Sequence, residues 1–284
     1  TGFDYLGEPT PFNSDKTVLL NHAAAVSKEE LKKQEEELKK IEQNRPTSRS
    51  SYFGIVDLAG FPKDRYYLYQ SRWRPDYPMV HILPHWNWED KNGKNVPVFV
   101  YSSGDEVELF LNDRSLGKKF KQPYEYRFRW DSVCYESGEL KAIAYKDGKK
   151  WAEKHVRTTG KPVKLKLTPD KTVLKSDGED LIFVRVSILD ADGNEVPTAE
   201  PVITSSVSGP GVIVATDNGD PTCLIPFHEP ERPAFNGLYL AIVKARKGSE
   251  GKLRLRVEAD GLGKEEIDFQ IQNEGLEKRY LLTD

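Results

Sequence analysis

Cysteine is nearly absent from this chain of 284 residues, and the two present, Cys134 and Cys223, fall in different candidate domains with no CxxC spacing. A disulfide framework is therefore not expected, and the pair makes a poor zinc site; both thiols read as small buried hydrophobes. Long apolar runs are missing too, and none approaches the roughly 20 residues that a membrane-spanning helix needs. No charged-then-apolar leader opens the chain, so a secretion signal, if the protein has one, is expected upstream. Basic blocks are also lacking: 42 Lys and Arg stand against 45 Asp and Glu, a net charge of -3. Nothing there neutralises a run of phosphates, and nucleic acid is not an expected partner. The five histidines are scattered. His81 and His85 are four apart, but Pro84 breaks the helix that would align them, so neither a metal nor another cofactor is expected.

What the chain does contain is core-forming material: 37% hydrophobic residues despite a mean hydropathy of -0.64, enough for two or three globular domains. Residues Thr1 to Phe12 read as the end of a buried strand running into a loop that carries Asp4 and Glu8, the way barrel enzymes deliver polar groups to their catalytic face. With no initiator Met and no lead-in, the chain is expected to start inside a domain. Ser27-Lys-Glu-Glu30 has the capping-box form and opens a Glu/Lys-rich run that Arg45-Pro46 stops. Its apolar stripe is narrow (Val26, Leu31, Leu38, Ile41), which predicts a solvated helical insertion over about 27–44. Apolar material returns at 50–63, and Asp64 is placed to cap a helix from Arg65 to Trp73. Residues 1–73 thus read as one βα unit of a larger barrel, a partial barrel that cannot close a core by itself.

Arg74-Pro-Asp-Tyr-Pro78 is turn chemistry and marks a boundary. Beyond it the hydrophobic period becomes two. Val107, Leu109 and Leu111 alternate with polar neighbours up to the turn at Asn112-Asp-Arg-Ser115. Tyr124, Tyr126, Phe128 and Trp130 alternate with Glu125, Arg127 and Arg129 and are expected to be the buried face of one strand. The stretches 140–145 and 151–158 are joined by a hairpin signal at Lys146-Asp-Gly-Lys149. An antiparallel β-sandwich is predicted over 79–160. Thr159-Gly-Lys-Pro162 marks the next boundary, and seven short strand signals over 163–272, with Leu181 to Leu189 as a central strand, predict an immunoglobulin-like sandwich. Residues 273–284 form a tail. The fold class is mainly β: a partial barrel unit followed by two antiparallel sandwiches.

Five ordered segments carry a resemblance. They are Thr1 to Pro11, Ser51-Tyr-Phe-Gly-Ile-Val-Asp-Leu-Ala-Gly-Phe-Pro-Lys63, His85-Trp-Asn-Trp88, Val107 to Gly117 and Asn218-Gly-Asp-Pro-Thr222. Together they resemble the C-terminal third of bacterial family 2 glycoside hydrolases, in particular the β-galactosidases of Bacteroides-like bacteria. The resemblance implies that residues 1–73 are the last βα unit of a (β/α)8 barrel. It also implies a retaining hydrolase of β-galactosides, which works with two carboxylates about 5 to 5.5 Å apart. In the family both glutamates come from earlier barrel strands, so none of the catalytic residues is expected in this chain and Asp4 and Glu8 are not given those roles. The expected partners are a β-galactoside or oligosaccharide, met through the parent enzyme, and the N-terminal part of the same polypeptide. A periplasmic or secreted location is implied, and β-glucuronidase or β-mannosidase specificity stays open because the discriminating pockets lie mostly upstream.

Within that frame the candidate substrate-binding residues are Glu8, Asp4 and Phe53. Glu8, fixed between Gly7 and Pro9, is placed to accept hydrogen bonds from sugar hydroxyls; a loop cap is the alternative. Asp4 reads equally as a buried hydrogen-bonded support. Phe53 offers a ring to the leaving group or simply packs. Lys63 either reaches the barrel mouth or stays solvated. Trp86 and Trp88, two apart, would share one face of an extended segment and form a sugar-stacking strip, or else anchor barrel to sandwich. Asn218 to Thr222 is first of all turn chemistry. The rival function is a carbohydrate-binding or purely structural sandwich module with no chemistry.

Overall fold

The computed structural model describes residues 49–273. Asp4, Glu8, the helical insertion over 27–44 and the tail from 274 lie outside the described residues. Helix α1 (Asp64–Trp73) precedes sixteen strands. Asp64 does not cap it: Lys63 occupies the cap position in extended backbone without a side-chain cap, and Asp64 is the first helical residue. Its carboxylate is drawn instead to His81 Nε2 at 2.8 Å, while the Tyr67 ring stacks on the same imidazole at 4.0 Å. An acid in the first turn still suits the helix dipole. The helix is thereby fastened to the sheet that follows it.

The first sandwich packs a sheet in the order β1-β2-β5 against one in the order β4-β3-β6-β7. These are β1 (Val80–Leu83), β2 (Asn95–Ser102), β3 (Glu106–Leu111), β4 (Arg114–Phe120), β5 (Phe128–Cys134), β6 (Glu139–Lys146) and β7 (Lys149–Arg157). The period of two in β3 buries Val107, Leu109 and Leu111 against Val98, Val100, Leu140 and Ala142. The hairpin expected at Lys146 to Lys149 forms, with Asp147 and Gly148 at φ 51° and 73°, and the turn expected at Asn112 is a second two-residue hairpin, with Asn112 and Asp113 at 50° and 61°. Positive φ at both central positions is what a hairpin matched to strand twist requires, and Asn, Asp and Gly tolerate it best.

The aromatic row needs correction. β5 begins only at Phe128, opposite Val100 of β2. Phe128 and Trp130 are buried as expected, but Tyr124 and Tyr126 are exposed, and Tyr124 sits at φ 66° in a turn. Alternation in the sequence runs on past the point where a neighbouring strand exists to define an inner face. Cys134 is exposed and Cys223 only half-buried, so neither is the buried hydrophobe expected.

The second sandwich packs the order β12-β14-β10-β8 against β13-β11-β15-β16-β9. Its strands are β8 (Lys164–Pro169), β9 (Val173–Lys175), β10 (Ile182–Leu189), β11 (Val202–Ser208), β12 (Gly211–Asp217), β13 (Glu231–Pro233), β14 (Leu238–Ala245), β15 (Gly251–Ala259) and β16 (Gly263–Gln272). β10 lies inside its sheet, between β14 and β8, and buries Val184, Val186 and Ile188 against Leu253, Leu255, Val257 and Phe269. All ladders are antiparallel except β16 with β9. Tyr239 is wholly buried, and its hydroxyl is satisfied by Ser205 Oγ at 2.8 Å and Pro230 O at 3.2 Å.

An ion cluster ties β6 to β7. His155 Nε2 is 2.9 Å from Glu153, and its Nδ1 is 2.8 Å from Glu139. Lys150 and then His155 hold the Glu153 carboxyl down at about 2, and Glu153 followed by Glu139 raises the His155 imidazole. The raised histidine contributes stability below its ordinary value of 6.5 and loses it as pH rises through its folded value. The depressed glutamate contributes above 4.5 and loses it as pH falls toward about 2. Urea melts across pH should therefore show a plateau between these two ordinary values and a decline on both sides. His155→Gln should abolish the alkaline limb, a change of about 1 kcal/mol or less because the cluster is partly solvated.

Candidate functional site

Residues 49–63 form the segment on which the sequence places Phe53 and Lys63. Ile55 to Lys63 doubles back on itself: Val56 bridges Pro62, the Lys63 amide donates to Ile55 O at 2.9 Å, and the Asp57 amide donates to Phe61 O at 3.1 Å. The reversal is Asp57-Leu-Ala-Gly60. The Gly60 amide donates to Asp57 O, Asp57 Oδ1 accepts the Phe61 amide at 2.9 Å, and Gly60 takes φ 85°, which an L side chain would resist. Lys63 Nζ then donates to Tyr52 O at 3.0 Å. The outcome is a compact hairpin with an ammonium fixed beside two aromatic residues, Tyr52 and Phe53, the latter 56% exposed. Such a ring can stack on a sugar face, and the ammonium can orient a hydroxyl.

This hairpin is held from two sides. Through α1 it reaches the first sandwich, by the Asp64–His81 pair. On the other side it rests on the loop of the second sandwich that follows β12. The Arg49 amide donates to Pro221 O at 2.7 Å, Arg49 Nη2 to Ile225 O at 2.8 Å, and its guanidinium lies 4.4 Å from the centre of the Phe227 ring. The motif Asn218 to Thr222 is a turn, as expected, but a buried one. Asp217 Oδ1 accepts the amides of Asn218 and Gly219, and Asn218 Nδ2 donates to Pro233 O at 2.9 Å.

Arg232, which no sequence pattern singled out, organises this loop from behind. It is 1% exposed, and its guanidinium donates to Thr216 Oγ1 at 2.8 Å, Pro226 O at 2.8 Å and Ile225 O at 3.3 Å, with Cys223 Sγ at 3.5 Å. Burying a charge costs several kcal/mol unless its donors are satisfied, and here carbonyls supply the acceptors. An arginine flanked by Glu231 and Pro233 in sequence gives no hint of this, because the acceptors lie up to 16 positions away.

The tryptophan pair is not a sugar-stacking strip. Trp86 is 0% exposed inside the first core, its Nε1 donating to Glu136 O at 2.9 Å and its ring packed on Tyr135 at 4.9 Å. Trp88 is half-buried, stacked on His85 at 4.5 Å with Lys91 Nζ 4.0 Å from its centre. Residues 84–88 belong to no ladder, so the alternation that would align the two indoles does not apply. The motif instead ties the beginning of this sandwich to its end: Thr158 Oγ1 donates to Trp86 O at 2.6 Å, and Asn87 exchanges hydrogen bonds with Thr159 at 2.6 and 3.2 Å.

A glycosidic acid needs a raised carboxyl pKa, whereas every resolved shift on a described carboxylate runs downward, as with Asp113 beside Lys141 and Asp268 beside Arg254. No group of three or more His, Cys, Asp or Glu side chains among the described residues is arranged to hold a metal ion, and no described helix is long and apolar enough to cross a membrane.

Comparison with known proteins gives these two sandwiches a family. Residues 165–268 match the model of the glycoside hydrolase family 2 C-terminal domain 5. The β-galactosidase BoGH2A of Bacteroides ovatus is 41% identical over 263 residues, 92% of this chain and 27% of that protein. The chain belongs to glycoside hydrolase family 2, as a C-terminal portion. A β-glycosidase crystal structure from Bacteroides vulgatus superposes with a TM-score of 0.74 at 34% identity, over 78% of this chain and 28% of that one. A putative β-glucuronidase of Formosa agariphila is 39% identical over 175 residues, 59% of this chain and 16% of that protein. Residues 93–152, within the first sandwich of this family 2 chain, match a domain of unknown function, DUF4982. The chain spans about a quarter of the length of BoGH2A and of the Bacteroides vulgatus glycosidase.

The placement of the two tryptophans has a measurable consequence. Trp86→Ala should destabilise the protein by about 3 to 5 kcal/mol in urea unfolding, the range for removing a large buried aromatic. Trp88→Ala should cost less, and saturable galactoside binding that either change abolished without loss of folding would contradict the buried role.

Proposed function

We propose that this chain is the scaffold and access-shaping part of a retaining β-galactosidase, whose catalytic glutamates belong to the remainder of the polypeptide. The reading rests on one observation above all, the 41% identity with a β-galactosidase across 92% of the chain. It is further supported by the exposed Phe53 ring and the fixed Lys63 ammonium on a hairpin seated between the two sandwiches. In this reading residues 1–73 contribute the last βα unit of a (β/α)8 barrel, and the 163–272 sandwich is immunoglobulin-like. Asp4 and Glu8 accept hydrogen bonds from sugar hydroxyls, and Phe53 stacks against the leaving group at the outer subsite. The enzyme is periplasmic or secreted.

Chemistry divides accordingly. The carboxylate pair protonates the glycosidic oxygen and attacks the anomeric carbon. The rim contributes binding energy that orients the aglycone, and uniform binding of that kind appears in KM before kcat.

The test uses the full-length enzyme and this chain side by side, with aryl β-galactoside and aryl β-glucuronide. Full-length enzyme should prefer the galactoside, and the 284-residue chain should give no turnover above buffer. Preference for the glucuronide would transfer the reading to the β-glucuronidase branch that the Formosa agariphila relative represents. Turnover by the purified chain alone would overturn the scaffold role. Phe53→Ala in the full-length enzyme should raise KM for galactosides with bulky aglycones about three- to tenfold, in the range expected for a lost stacking contact.

A further inference from the structure

The turn Asn218 to Thr222 approaches the hairpin at Gly219, where it has no side chain. A Cβ placed on Gly219 would stand 2.1 Å from Asp57 Oδ2 and 2.6 Å from that carboxyl carbon, far inside contact distance. Asp57 is the residue that closes the hairpin, through Phe61 N, Gly60 N and the backbone pair with Phe61. It is nearly buried, as are Asp217 and Asn218 on the opposing loop. That loop is not compliant. Arg232 grips it from within, Asn218 is bonded to Pro233 O, and Ile225 O receives both Arg232 and Arg49. A rigid loop pressed against the closing residue of a hairpin sets where the hairpin stands.

We infer that Gly219 is a positioning residue, through which the second sandwich fixes the hairpin 55–63 and thereby the outer subsite that Phe53 and Lys63 line. The path is short: Gly219 to Asp57 by direct contact, Asp57 to Lys63 through the hairpin ladder, and Lys63 to Tyr52 O, the residue next to Phe53. The C-terminal sandwich acts on substrate selection without touching the substrate. This assignment of the subsite rests on the β-galactosidase reading above.

Gly219 also has φ 78°, so a substitution there strains the backbone whatever it touches. Gly248, at φ 71° in the same sandwich with nothing within 4 Å of its Cβ position, supplies the control for strain alone. In the full-length enzyme, Gly219→Ala should raise KM for a galactoside with an oligosaccharide aglycone by about tenfold, the scale of a displaced positioning element. kcat and the KM for a small aryl galactoside should stay near those of Gly248→Ala. Asp57→Ala, which leaves residue 219 unstrained, should reproduce the KM effect, and Gly219→Ala in that background should add no more than the control does.

A readout without substrate keeps the two readings apart. Hydrogen exchange at the Gly60 and Phe61 amides should accelerate in Gly219→Ala but not in Gly248→Ala. Equal exchange and equal KM in those two variants would overturn the role of Gly219. An enzyme that hydrolyses no β-galactoside while exchange still accelerates would instead refute the substrate assignment and leave the mechanical coupling standing.

Discussion

The position of the hairpin depends on its seam with the second sandwich. On one side stand Arg49 and Asp57, on the other the backbone of loop 217–225, and between them there is room for hydrogen bonds and van der Waals contact but for no side chain on residue 219. The seam works because its far wall is stiff. A buried guanidinium, that of Arg232, ties Thr216 Oγ1 to the carbonyls of Ile225 and Pro226, and these acceptors offset the desolvation of its charge.

The helix does the same on the opposite flank. Asp64, His81 and Tyr67 form a bonded and stacked trio that joins α1 to β1, and the rim hairpin is suspended between this trio and the seam. A hairpin of nine residues has little apolar surface of its own and is marginal in isolation. Its definition comes from these two anchorages, which explains how an exposed aromatic residue can keep a set position on a loop. In the proposed reading this arrangement suits a binding loop, since binding residues are commonly carried on loops that a rigid scaffold positions.

Much of the fold was legible in the chain. Val107, Leu109 and Leu111, and the strands around Val184 to Ile188, show their inner faces through a period of two, and both two-residue turns announce themselves by Asn-Asp and Asp-Gly. Three-residue strands such as β9 and β13 do not, because they are too short to show a period and exist only by pairing with β16 and β11. Tyr124 and Tyr126 mislead for the complementary reason: their alternation is real, but no ladder reaches them. At the candidate site, Phe53 and Lys63 were visible as residue types in a familiar segment, whereas Arg232 was not.

The sequence alone determined the periodicity, the turns and the kinship, because each is written in residues adjacent or nearly adjacent along the chain. Tertiary structure alone decided which tryptophan is buried, which carboxylate caps and which pairs, and why residue 219 must be glycine. Those outcomes depend on groups that meet across long separations, such as Asp57 with Gly219 and Arg49 with Ile225. Burial and hydrogen-bond satisfaction are properties of the assembled neighbourhood, and no local pattern encodes who the neighbours will be.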